Sequence, residues 1–368
     1  MTAPQKKPAS SRREFLTGQA AADALLAAAD RAPPPSDAND APGSPSSYLF
    51  QIGRSAMACE FQVFLNAGQH AAGPDAALRA LDLVDKLEDQ MSVYRPHTEV
   101  SEINRRADAG PVAVEPRLFA LLQRARQLFD ETGGAFDITS GPLSKVWGFS
   151  RRSGRMPSDD EIRAAREFVG GQNVELNSKC ATIRFHQPGV EINLNAIGKG
   201  HALDRCEELL LAEDVDNFLI HGGQSSLLAR GSRAGLAAGG TGWSVALRHP
   251  LRPEVRLAEI LMRDRALGTS GSGTQFFYHQ GRRYGHILDP RTGWPADAVL
   301  STTVLAPTAA DADALATAFY VLGLDESRAY CAQHPEIAAL IVTPGDRSGA
   351  ADVHAIGLDD RDWKQLAQ

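Results

Sequence analysis

Cysteine is scarce in this chain of 368 residues, which carries only Cys59, Cys180, Cys206 and Cys331. None stands in a C-x-x-C pair or beside a histidine at zinc-finger spacing, so a structural zinc site is excluded and packing residues or free thiols remain. Positive charge is also short. Lys and Arg total 38 against 45 Asp and Glu, a net charge of -7, and the chain therefore lacks the basic surface that displaces counterions from nucleic acid. There is no internal repeat and no regular alternation of strand and helix, which argues for an α+β domain over a doubly wound sheet. At 43% hydrophobic and 23% charged residues, what is present is the composition of a globular protein with a substantial core, in one large domain or two small ones.

Long apolar runs are missing as well. The mildly apolar stretch from Ala20 to Ala29, interrupted by Asp23, is too short and too polar for a permanent membrane span. Before it stands Ser11-Arg12-Arg13-Glu14-Phe15-Leu16, preceded by Lys6 and Lys7, which resembles a twin-arginine export signal. No cysteine lies there to take a lipid anchor. From Arg31 to Ser47 the chain is Pro, Ser, Asp, Ala and Gly, a composition that cannot bury enough apolar surface to fold. The expectation is a signal over residues 1–30, a disordered linker over 31–47, and one α+β domain over 48–368 in a periplasmic or other extracytoplasmic protein.

Within that domain, Phe50 to Leu65 reads as two strands around Met57 and Ala58, with Phe61, Val63 and Leu65 on one face. Helices are expected from Ala76 to Gln90, with Leu78, Leu81, Val84 and Leu87 as a core-facing stripe, from Pro116 to Thr132, and from Lys199 to Ala212. Strand-like runs cover Thr182–Phe185, Asn217–Ile220, Trp243–Leu247, Thr302–Ala306 and Ile337–Val342.

Two segments carry the most chemical information. In Gly285-His286-Ile287-Leu288-Asp289-Pro290-Arg291-Thr292-Gly293, proline gives up its ladder donor and turns the residue before it away from helix, which places His286 at a strand end before a turn. In Ala310-Asp311-Ala312-Asp313-Ala314-Leu315-Ala316-Thr317, Thr308 caps an alanine-rich helix. Asp313 and Thr317 then share one helix face. A carboxylate and a hydroxyl at that spacing can reach one hard cation, and magnesium is usually held by one or two protein oxygens with phosphate oxygens completing the shell.

Further segments join these: Met57-Ala58-Cys59, Tyr94, Gly134-Ala135-Phe136-Asp137, Asn193-Leu194-Asn195-Ala196-Ile197-Gly198-Lys199-Gly200, Gly222-Gly223 and Gly268-Thr269-Ser270-Gly271. Taken singly, each has a bland explanation as a turn, a packing residue or a solvated charge. The glycines flanking Lys199 would let a backbone approach a phosphate closely while the ammonium and a helix N-terminus supply positive potential.

In their order and spacing, from about Met57 to Gly323, these motifs resemble the FAD:protein FMN transferase (ApbE-like) family. The resemblance implies that Tyr94 packs on the flavin ring and that Ala135, Phe136 and Asp137 line the adenosine and flavin groups. It also implies that Met57 opens the first FAD-binding segment, with Asn193 and Ile287 belonging to the same cofactor-binding set. Lys199 would contact the pyrophosphate. The Ala196 carbonyl, Asp313 and Thr317 would bind Mg2+, with Asp313 and His286 as the catalytic pair. The implied reaction moves FMN from FAD to a threonine or serine hydroxyl of an acceptor flavoprotein and releases AMP. Three positions depart from the family pattern: Asn193 stands where aspartate is usual, Ala58-Cys59 replaces a Gly-Thr pair, and Gln224 replaces an acidic residue.

Two other functions are consistent with parts of this pattern. Asn193 suits a protein of the same fold that binds or hydrolyses FAD without an acceptor. Thr269-Ser270-Gly271-Ser272-Gly273 offers a serine nucleophile with His286 as base, but it lacks G-x-S-x-G spacing and reads as a loop.

Overall fold

Alternation builds the first hairpin. Phe61, Val63 and Leu65 are buried on one face, and Met57 and Ala58 take φ of 50° and 58° between the paired residues Ala56 and Cys59. Two consecutive positive-φ residues are what a two-residue hairpin turn with the right twist requires. In the computed structural model, residues 48–234, 242–271, 273, 275–347 and 349–366 are described, within a unit spanning Ser46–Gln368. The expected export signal and linker, residues 1–47, lie outside the described residues, as does Ser272.

The strands are β1 Leu49–Ala56, β2 Cys59–Asn66, β3 Val112–Ala113, β4 Val174–Asn177, β5 Thr182–Phe185 and β6 Phe218–Gly222. They continue with β7 Ser226–Arg230, β8 Trp243–His249, β9 Arg252–Met262, β10 Arg265–Gly271 and β11 Phe276–His279. The last are β12 Arg282–Gly285, β13 Ser301–Ala306, β14 Ala338–Pro344, β15 Ala351–Ile356 and β16 Trp363–Gln365. The α-helices are α1 Gly73–Met91, α2 Glu99–Arg106, α3 Pro116–Glu131, α4 Gly141–Val146, α5 Asp159–Arg166, α6 Gly198–Ala212 and α7 Ala309–Gln333.

Eight strands form one sheet in the order β1-β2-β6-β7-β10-β13-β14-β15. Each neighbouring pair is antiparallel, so the α+β class expected from the sequence holds. The sheet is covered on both faces. Phe61, Ile220, Leu228, Val304 and Ile341 pack with the helices in the main core, while the neighbours Leu227, Leu267, Leu305 and Leu340 pack with Trp243, Ile260 and Met262 of the small sheet β16-β9-β8. Period-two alternation sends consecutive residues to opposite layers, and each fully buried Leu or Ile contributes roughly 1.5–3 kcal/mol.

The helix stripe needs a correction. Leu81, Val84 and Leu87 are buried, but Leu78 is 47% exposed, and the core contacts of that turn are Ala76, Ala77 and Ala80. A strict three-residue step falls short of a full helical turn, so Leu78 and Leu87 point to nearly opposite sides at roughly 100° per residue. A second correction concerns Thr269-Ser270-Gly271, expected in a loop. They are the end of β10, inside the main sheet.

Helix α7 begins as its sequence indicates, with Thr308 Oγ1 accepting the Asp311 amide at 3.2 Å. It lies on the sheet at backbone distance: a Cβ added to Gly268 of β10 would meet the Ala312 carbonyl oxygen at 2.3 Å. Thr302 of β13 donates its hydroxyl to the Ala316 carbonyl at 2.6 Å. The helical path is broken at Gly323, at φ 78° and ψ -169°.

Candidate functional site

Helices α6 and α7 meet at their N-terminal halves, and their contact assembles one cluster. Asp313 is 6% exposed. Its Oδ2 accepts the Gly200 amide at 2.8 Å and stands 3.6 Å from Lys199 Nζ, while its Oδ1 accepts the hydroxyl of Ser226. A buried carboxylate is tolerated only when paired and hydrogen-bonded, and both conditions are met here. Asp313 is therefore not a solvated residue on an exposed helix turn. One turn on, Thr317 Oγ1 stands 3.4 Å from the Asp313 carbonyl and 3.1 Å from Ser270 Oγ. Ala196 lies in the turn leading into α6. The Gly200 amide lies in the first turn of α6, where helix amides have no intrahelical acceptor, and it donates to Asp313 instead.

The oxygens gathered here are the Asp313 carboxylate and the Thr317 hydroxyl, and Ala196 belongs to the turn just before α6. Among the described residues no three His, Cys, Asp or Glu side chains cluster to form a protein-only metal cage. This donor set fits a hard cation that draws the rest of its shell from phosphate oxygens or water.

The Met57 turn lies against the paired glycines, since a Cβ added to Gly223 would meet Cys59 Cβ at 2.9 Å. Burial pushes the Cys59 thiol up to about 11, against the pull of the Lys199 charge. It is a packed thiol. All four cysteines are free, as the sequence indicated.

A second group forms around Tyr94, which is 64% exposed. Its hydroxyl accepts from Asn195 Nδ2 at 3.2 Å. Asn193 Oδ1 accepts the Asn195 amide at 2.9 Å, and the Asn193 amide donates to the Ile138 carbonyl at 2.7 Å. Asn193 thus joins Tyr94 to the segment after Asp137. The Asp137 carboxylate is 8% exposed; its Oδ1 accepts both the amide and the hydroxyl of Thr139 at 2.7 Å, while Oδ2 is buried without a partner. Burial pushes this carboxyl up to about 6 despite the Thr139 hydrogen bonds. Ala135 and Phe136 are each 1% exposed in the main core, and Ile287 is buried there too. Their side chains pack the interior, as does the Asp137 carboxylate, so a ligand would meet this part of the chain through its backbone.

His286 follows β12 directly, at the strand end expected. Its amide and its Nδ1 both stand near the Gln275 carbonyl, at 3.2 Å and 3.1 Å. A carbonyl only accepts, so Nδ1 carries a hydrogen and the neutral ring presents the lone pair of Nε2. Burial holds its pKa below the ordinary histidine value, opposed by the Gln275 bond, and the neutral form therefore dominates at pH 7. Phe149 meets the ring edge-on at 6.5 Å. Among the described residues no hydrogen bond or ion pair joins His286 to Asp313 or Ser270. Ser270 is engaged with Thr317, so Ser270 is not paired with His286 as a serine nucleophile would be, and Ser272 lies outside the described residues.

Three residues of these clusters, Ser226, Gln275 and Asp204, went unnoticed in the sequence, and Asn195 and Ser270 stood in quoted motifs without the partners they have here. Asp204 accepts the amides of Ala309 and Ala310 at 2.6 Å and 2.9 Å. Asn195 alone had a local signal, as a second asparagine two positions after Asn193. The others act across more than ten positions.

Comparison with known proteins supplies the class. The ApbE family matches residues 57–341. The FAD:protein FMN transferase of Treponema pallidum (strain Nichols) is 33% identical over 315 residues, covering 82% of this chain and 85% of the relative. That of Klebsiella pneumoniae (strain 342) is 31% identical over 270 residues, covering 73% and 82%. Among solved structures, the ApbE protein of Thermotoga maritima superposes with a TM-score of 0.73 at 29% identity, covering 83% of this chain and 96% of that one. The flavin transferase ApbE of Vibrio cholerae gives 0.73 at 27%, covering 84% and 97%. Fold and sequence together define a flavin transferase. The chain belongs to the ApbE family.

Proposed function

We propose that this protein is a magnesium-dependent FAD:protein FMN transferase that joins FMN to a threonine or serine hydroxyl of an acceptor flavoprotein and releases AMP. The observation that carries the reading is the pairing of Asp313 with Lys199 and the Gly200 amide at the α6 N-terminus, with Thr317 one turn further along α7, a place suited to a pyrophosphate and a hard cation. Asp313, Thr317 and the Ala196 carbonyl would hold the magnesium. When bound, it would neutralise charge on the phosphate oxygens as the pyrophosphate is broken.

The chain's own residues supply the rest. Lys199 offers its ammonium to the pyrophosphate, and in phosphoryl transfer such positioning and charge stabilisation are most of the protein's work. Tyr94 presents an exposed ring face for the isoalloxazine, held by Asn195. Nε2 of neutral His286 takes the proton of the acceptor hydroxyl. The freed oxygen bonds to the FMN phosphorus, the bridging bond breaks, and AMP leaves with the bridging oxygen.

Incubating the protein with FAD, magnesium and an acceptor domain tests this. The expected result is a mass gain on the acceptor equal to FMN less water, with AMP in the supernatant. AMP and free FMN without acceptor labelling would favour the hydrolytic alternative that Asn193 suggests. We place the protein outside the cytoplasm, on the strength of the twin-arginine pattern at Arg12 and Arg13.

A further inference from the structure

Each of the two site helices is tied at its start by a carboxylate from the other. The first amides of α7, at Ala309 and Ala310, donate to the two oxygens of Asp204 on α6, and the third, at Asp311, goes to Thr308 Oγ1. In return, the Gly200 amide in the first turn of α6 donates to Asp313 Oδ2 on α7. Gly200 and Asp204 are four residues apart and share one face of α6. Ala309, Ala310 and Asp313 share the opposing face of α7. The two backbones touch between these tethers, because a Cβ on Gly200 would stand 2.0 Å from the Ala309 carbonyl oxygen.

Among the described residues, Asp204 hydrogen-bonds to none of those assigned to magnesium or FAD. Its two bonds fix the first turn of α7, and the helix transmits that placement rigidly to Asp313 and Thr317, the next two turns. Resting on the function proposed above, we propose that Asp204 is a positioning residue that sets the spacing of Asp313 and Thr317 against Ala196 and Lys199, and thereby the affinity of the site for magnesium with FAD.

The test is Asp204→Asn, which keeps size and shape but leaves one acceptor for two amides and turns an N–H toward an N–H. A second variant, Ala309→Pro, leaves Asp204 intact and removes one of its donors. Proline suits the first helical position, and Thr308 before it is extended at φ -115° and ψ 150°. Two measurements are made on the full chain: magnesium titrations of FAD binding by calorimetry, and amide exchange at the α7 N-terminus. The half-saturating magnesium concentration should rise by up to about tenfold, the low end of the loss seen when direct partners of metal ligands are removed, because Asp204 acts one bond further out. Affinity for FAD without metal should hold, turnover should recover at saturating magnesium, and the remaining amides at the start of α7 should exchange faster. A merely structural role would lower the melting temperature without moving the magnesium midpoint. A wild-type protein whose FAD binding ignores magnesium sinks the metal reading and this proposal with it. A wild-type response retained unchanged by both variants sinks this proposal alone, as does a loss of turnover that saturating magnesium does not restore.

Discussion

The amide of Gly200 donates to Oδ2 of Asp313 at 2.8 Å, across 113 positions of sequence. That bond, with Lys199 Nζ at 3.6 Å from the same oxygen, turns the start of one helix and the second turn of another into a single charged cradle.

Gly200→Ala should therefore damage both fold and site. The added methyl would stand 2.0 Å from the Ala309 carbonyl oxygen and 2.7 Å from the Ala310 nitrogen, and backbone cannot give way as a side-chain tip can. Overpacking of this kind costs roughly 1–3 kcal/mol or more. Denaturant titration should show that loss, and an unchanged midpoint would mean that the helices separate freely.

Asp313→Ala should abolish magnesium-dependent turnover. A helix tolerates alanine well, but here the substitution also strips partners from the Gly200 amide and Ser226 hydroxyl. Leaving such buried groups unsatisfied costs about 1–3 kcal/mol each. Asp313→Asn keeps one acceptor oxygen for the Gly200 amide and can donate its NH2 to the rotatable Ser226 hydroxyl, which separates the two effects: its melting temperature should stay nearer wild type while turnover still falls. Wild-type magnesium dependence in either variant would remove Asp313 from the metal site.

His286→Ala should retain FAD binding and lose transfer by on the order of a hundred- to ten-thousandfold, as general-base removal does. In the wild type, the rate should rise with pH as the ring loses its proton, with the midpoint of the rise below pH 6.5 because burial holds the pKa under that ordinary value. Stability is linked in the same sense. Below pH 6.5 the unfolded chain takes up a proton that the folded ring resists, so the contribution of His286 is present above that pH and is lost as pH falls through the folded value. A stable variant that still transfers FMN at the wild-type rate would rule out the base assignment.

Replacing Arg12 and Arg13 by Lys should strand the protein in the cytoplasm. Fractionation of cells expressing both forms checks this. Undiminished export of the double variant would count against the twin-arginine reading.

Much of the fold was legible because periodicity is local. The hairpin at Met57 and Ala58, the extents of α3 and α6, and the Thr308 cap all follow from residues within a few positions of one another. Leu78 misled because a three-residue step drifts around the helix, and only the neighbouring layers decide which side is covered. The Thr269-Ser270-Gly271 run misled for a different reason. Small residues there are not turn chemistry; they lie in the strand that passes under α7, where Gly268 has no room for a side chain.

The sequence by itself determined the kinds of groups available and their local spacing: one carboxylate and one hydroxyl a turn apart at Asp313 and Thr317, a lysine between glycines, and a histidine at a strand end. Only the tertiary structure decided which of them meet. Asp313 is shared among Gly200, Lys199 and Ser226, Asp204 caps a helix that begins 105 positions later, and Gln275 fixes which nitrogen of His286 is free. These partners lie on separate elements whose relative placement is set by burying both faces of the sheet. No local pattern in the chain records that long-range packing.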